Sequence, residues 1–151
     1  YADTVSLCLS KGLGARVGSV LVSSAANIAK ARTQRKRLGG GWRQAGILAA
    51  AGLYALDHNI ERLADDHAAA RALAEAVAEH APSAIVLDDV ETNIVVVGTG
   101  TKTAAEIAAA VREAGVALSA VGAHQVRAVT HLDVSLDESV QAGRVLGSLL
   151  A

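Results

Sequence analysis

One lysine of this chain stands where covalent chemistry is feasible. Lys11 follows Ser10 and precedes Gly12-Leu13-Gly14. Glycine lets backbone come close to a flat, bulky group, and small neighbours leave room for one. An amine buried at such a place loses proton affinity and becomes nucleophilic towards an aldehyde. The same pattern also fits a lysine projecting from a surface turn, so the spacing alone leaves both readings open. Two phosphate cradles are excluded. Gly12-x-Gly14 lacks the third glycine of the dinucleotide fingerprint, and no G-x-x-x-x-G-K-[ST] run occurs.

The other ionisable groups are less specific. Lys30, Arg32, Arg35, Lys36 and Arg37 gather just before Gly39-Gly40-Gly41, and Arg43 follows in a glycine-flanked turn. Cations suit a helix C-terminus, so the cluster reads as a solvated helix end. Arg127 lies in a strand-like run, where an isolated arginine is by default a strand-edge ion pair. His131 alternates with Arg127 and Val129 and so shares a strand face with them, whereas His58, His67 and His80 fall among charges on helices and His124 in a loop. Asp57, Asp65 and Asp66 do not converge, because adjacent helical residues face different ways. No protein metal cage is expected.

Composition narrows the class. The 151 residues carry a formal net charge of −1 and are 52% hydrophobic, with no Phe or Met, one Trp and two Tyr. A chain so nearly neutral and so poor in aromatics has neither the charge nor the stacking platforms of a nucleic-acid binder. No apolar run approaches the roughly 20 residues of a membrane helix, and no charged n-region with an apolar h-region is found in the first residues given. A cytoplasmic protein is expected. With no Met at its start, the sequence reads as part of a longer chain. Cys8, the one cysteine, has no internal disulfide partner and reads as a small buried hydrophobe.

These residues must be positioned by regular elements. Val5 to Ser10 alternates apolar and small polar residues and predicts a strand ending at Lys11; Val17 to Val22 predicts a second, running into Ser23-Ser24 as a helix N-cap. Helices are expected over about 25–37, 44–56 and 60–80. Beyond Pro82 the pattern changes to strands at 84–88 and 92–97, a helix at 103–114 closed by Gly115, strands at 116–121 and 126–132, and a final helix at 136–150. The order ββαββα describes a small α+β lobe.

Four stretches together point to a family. Ser10-Lys11-Gly12-Leu13-Gly14-Ala15-Arg16-Val17-Gly18-Ser19, Leu38-Gly39-Gly40-Gly41-Trp42-Arg43-Gln44-Ala45-Gly46, Glu91-Thr92-Asn93-Ile94-Val95 and Arg127-Ala128-Val129-Thr130-His131-Leu132-Asp133-Val134-Ser135 occur in this order. They resemble the C-terminal half of low-specificity L-threonine aldolases, of the β-eliminating lyase group. Arg16 and Trp42 depart from the family's usual Pro and Met.

The resemblance implies an α/β chain of the fold-type-I, pyridoxal-phosphate-dependent kind. Residues 1–57 would close its large cofactor-binding domain, 58–81 would form a connecting helix, and 82–151 the small α+β domain. It implies that Lys11 forms the Schiff base with pyridoxal 5′-phosphate, that Ser10, Lys36 and Arg43 lie near the cofactor, and that Arg127 binds the substrate carboxylate. The implied reaction is retro-aldol cleavage of L-threonine or L-allo-threonine to glycine and acetaldehyde, by a homodimer or homotetramer. A stacking histidine, a phosphate loop and an acidic partner for the pyridine nitrogen are expected upstream of Tyr1. The competing readings are a β-eliminating lyase for another amino acid and a non-catalytic assembly module that retains the fold.

Overall fold

The computed structural model describes all 151 residues, which divide into two compact units, Tyr1–Arg62 and Leu63–Ala151. In the first, β1 (Thr4–Cys8) pairs antiparallel with β2 (Ser19–Ser23), with Val5 opposite Val22 and Leu7 opposite Val20. Both faces of this two-stranded ribbon stay largely exposed. α1 (Ala25–Arg37) starts where expected, with the Ser24 hydroxyl accepting from Asn27 N at 3.3 Å. It stops at a Schellman motif: Gly39 has φ 84°, Gly40 N donates to Arg35 O (2.8 Å) and Gly39 N to Lys36 O (3.2 Å). α2 (Gly46–His58) follows Gln44, whose φ of 55° is rare outside glycine.

The second unit opens with α3 (Leu63–His80), antiparallel strands β3 (Ile94–Gly98), β4 (Ser119–Ala120) and β5 (Gln125–Val129) in the order β3-β5-β4, and helices α4 (Ala104–Glu113) and α5 (Leu136–Leu150). Its core joins Leu73 and Val77 of α3, Val95 and Val97 of β3, Ile107 and Val111 of α4, Val126 of β5 and Leu146 of α5. α3 and α5 pack backbone to backbone. A Cβ on Gly143 would run into Leu73 O and Ala76 Cβ, so only glycine permits this approach.

Two expected strands are not formed as such. Over residues 84–88 the backbone makes two 3₁₀ turns, Pro82–Ala84 and Leu87–Asp89, because Pro82 presets the first and Arg71 Nη1 takes up Leu87 O at 2.9 Å. Ile85, Leu87 and Val90 still pack on the core without joining the sheet. Over 116–121 only Ser119–Ala120 pairs, since Val116 N is committed to Val111 O (2.9 Å) in the Schellman closure of α4 around Gly115. The lobe therefore runs βαββα after its 3₁₀ turns rather than ββαββα.

Candidate active site

Residues 9–18 link β1 to β2 and carry Lys11. Leu9 N donates to Gly18 O (3.0 Å), Ala15 N to Leu9 O (2.9 Å) and Gly14 N to Lys11 O (2.8 Å), so Lys11 to Gly14 form a β-turn within a closed loop. Leu9, Leu13 and Ala15 occupy the inward positions and are buried. Leu9 finds its place because Gly52 of α2 has no side chain; a Cβ there would stand 3.1 Å from Leu9 Cδ1. With those positions taken, Lys11 is exposed, contrary to the burial that its setting suggested. No hydrogen bond or ion pair engages its amine.

Ser10, also exposed, shares a hydrogen bond with the half-buried thiol of Cys8 at 3.2 Å. The Ser10 hydroxyl, its backbone and then the charge of Lys11 hold that thiol below the ordinary cysteine range, against an opposing effect of burial. Cys8 is thus a polar neighbour of the lysine loop rather than the inert buried hydrophobe expected.

Two residues beside the loop belong to no motif in the sequence. Asn59 Nδ2 donates to Leu13 O at 2.7 Å, and Arg62 Nη1 reaches Gly12 O at 3.5 Å. The available signal was the polar stretch Asp57-His58-Asn59 at the end of α2, where asparagine suits a helix terminus. Lys36 and Arg43, in contrast, are exposed and make no hydrogen bond to the loop. Lys36 lies along Gly41, whose Cβ would meet its Cγ at 3.2 Å.

Arg127 belongs to the second unit and sits on β5, the middle strand, with Val96 opposite it on one side and Ser119 on the other. It is therefore not a strand-edge residue, and its guanidinium makes no ion pair. Alternation along the strands puts Arg127 on the face opposite the core, with exposed Ile94, Val96 and Val129 around it. A free guanidinium on a rigid, mostly apolar surface can take both oxygens of a carboxylate. His131 lies past the end of β5, half-exposed, its Nδ1 accepting from Asp133 N at 3.3 Å and lying 3.5 Å from Asp133 Oδ2. It thus continues no strand face.

The β-eliminating lyase profile matches residues 1–101, about two thirds of the chain. The chain belongs to the beta-eliminating lyase family. The low-specificity L-threonine aldolase of Escherichia coli (strain K12) is 41% identical over 151 residues, covering 100% of this chain and 44% of its own length. A probable low-specificity L-threonine aldolase 2 of Arabidopsis thaliana is 44% identical over 137 residues, 89% of this chain and 39% of its own. A probable low-specificity L-threonine aldolase of Schizosaccharomyces pombe is 56% identical over 75 residues, half of this chain and 20% of its own. The chain thus spans less than half the length of these relatives. Lys11 falls within the matched family region, and Arg127 within the whole-length similarity to the bacterial aldolase. No helix of this family member is long and apolar enough to cross a membrane.

Proposed function

We propose that this lyase-family chain contributes the lysine and the carboxylate-binding half of a pyridoxal-phosphate-dependent aldolase that cleaves L-threonine or L-allo-threonine to glycine and acetaldehyde. What carries the reading is the unengaged, exposed amine of Lys11 on a closed glycine-containing turn, in a chain similar along its whole length to a protein named as a threonine aldolase.

The residues present fit the cofactor. An aldehyde needs a primary amine without a competing partner, and Lys11 supplies one. Gly12 and Gly14 leave the turn without side chains that would crowd a planar ring. When bound, pyridoxal phosphate supplies an electron sink for the charge left at Cα. The chain's own residues do the rest. Lys11 Nζ would hold the cofactor's aldehyde group and, as an ammonium, would be the acid that returns a proton to Cα. Arg127 grips the α-carboxylate through its planar fork and so fixes the direction of the Cα–Cβ bond. Ser10 borders the amine, and Lys36 and Arg43 are assigned to the cofactor phosphate or a subunit contact.

A homodimer or homotetramer is part of this proposal. α2 leaves Ile47, Leu53 and Tyr54 exposed, with Trp42 and Leu38 nearby in sequence, and α1 buries no residue. So much exposed apolar surface suits a contact with further protein. The exposed apolar faces of the β1–β2 ribbon likewise suit a larger sheet, as the fold-type-I layout requires.

The test is borohydride reduction of the full chain with pyridoxal phosphate, followed by peptide mapping. An adduct on Lys11, with acetaldehyde released from L-threonine, supports the proposal. Release from phenylserine alone would move the chain to another substrate, and a full chain with no adduct would favour the assembly module.

A further inference from the structure

We propose that Asn59 is a positioning residue for Lys11, acting through Leu13 O to hold the Lys11–Gly14 turn in the one geometry that presents the amine. The inference rests on the aldehyde-binding role proposed for Lys11 and adds a residue which that role does not include.

The turn has little of its own to fix it. Its single internal bond is Gly14 N to Lys11 O at 2.8 Å, it contains two glycines, and Gly14 has φ 74°. Glycine gives up more backbone freedom on ordering than any other residue, so such a turn samples several shapes unless something outside holds it. The lysine cannot do so, because its amine has no partner. The backbone therefore sets the direction from which its side chain leaves the turn.

Asn59 supplies the outside hold. It caps α2, where its backbone N–H is bonded to Ala55 O at 2.9 Å, so its Cα moves with the helix. Its half-buried side chain then donates to Leu13 O at 2.7 Å, across 46 residues of sequence. From the same segment Arg62 Nη1 approaches the preceding carbonyl, Gly12 O, at 3.5 Å. The two carbonyls that follow Lys11 are thus both faced by donors from Asn59 to Arg62, the segment that follows α2. Burial of the Leu13 side chain fixes the turn from the other side. The bond is also short and sheltered, unlike the exposed bond between Cys8 and Ser10.

The experiment uses the full chain and reads where pyridoxal phosphate is captured. The Lys11 amine condenses with the aldehyde and loses one water, and borohydride hydride then reduces the C=N, leaving a stable secondary amine for mass mapping. Lys30, exposed on α1, is the internal reference for unassisted capture. Asn59→Ala removes the donor, and Asn59→Asp removes it at nearly constant volume. Both are expected to lower the Lys11-to-Lys30 adduct ratio by about five- to tenfold, the factor one hydrogen bond supports.

Val97→Ala, in the core of the second unit, should leave that ratio at the wild-type value although it lowers stability. A ratio within about twofold of wild type in both Asn59 variants would overturn the proposal. An equal fall in Val97→Ala would overturn it too, since the effect would then be general loosening. Absence of a Lys11 adduct in the wild-type chain would instead refute the role of Lys11, and this inference with it, before any variant is made.

Discussion

Asn93 and Thr130 hold each other through backbone and side chain at once. Asn93 Nδ2 donates to Thr130 O at 2.7 Å, and Thr130 N donates to Asn93 O at 3.0 Å. The pair extends the β3–β5 ladder one step beyond Ile94 and Val129. Thr130 is 2% exposed, and its hydroxyl donates to Asp66 O at 2.6 Å, tying the strand end to the first turn of α3. Two of the motifs that suggested the family are therefore one structural device, a lock on the register of the strand that carries Arg127.

Asn93→Ala removes the donor to Thr130 O and is expected to cost about 1–2 kcal/mol. In a chain of this size that lowers Tm by several degrees. Thermal unfolding of the variant beside Asn93→Asp checks it. The aspartate sets a carboxylate against a carbonyl and should fall further. Two melting curves that overlay the wild type would show that the pair carries no stability.

Arg127→Lys keeps the charge and loses the fork. If Arg127 receives the substrate carboxylate, kcat/KM for L-threonine should fall about 10- to 100-fold, while Tm shifts by no more than a degree or two, since the guanidinium makes no bond within the chain. Steady-state kinetics on the full chain, with a melt as control, separates the two. An unchanged kcat/KM would leave Arg127 as a surface charge.

Local signals made much of the fold legible. Ser24 and Ser135 announce the starts of α1 and α5, and Gly39 and Gly115 mark the ends of α1 and α4, because caps act over three or four residues and leave their mark in the sequence. Residues 84–88 were not legible, because the short apolar run Ala84 to Leu87 reads as a strand and the side chain that takes up Leu87 O is Arg71, sixteen residues away. The candidate site divides in the same way. Lys11 and Arg127 stood out through motif and residue type. The central position of β5, which frees Arg127 from any strand edge, depends on pairing that periodicity does not encode. Asn59 was missed for a similar reason: its short side chain at a helix end looks like an ordinary cap until the loop folds back upon it.

The two capping boxes give the chain an acid limb. Glu138 accepts from Ser135 N at 2.8 Å and from its hydroxyl at 2.7 Å, while the same hydroxyl accepts from Glu138 N at 3.2 Å; Glu106 repeats this with Thr103. The backbone and hydroxyl bonds of Ser135 hold the Glu138 carboxyl below its usual range, and the hydroxyl and backbone bonds of Thr103 do so for Glu106. Folding then favours the ionised forms, so the unfolded chain binds more protons wherever these groups titrate. The stabilisation is present above the unfolded carboxyl pKa and is lost as pH falls through the lowered folded values. Glutamine at both positions can still accept a hydrogen bond but cannot titrate. The double variant Glu106→Gln/Glu138→Gln is therefore expected to show a shallower fall of Tm between about pH 5 and pH 3 than the wild type. Parallel melting curves across that range decide it, and identical slopes would mean that the acid limb comes from other carboxylates.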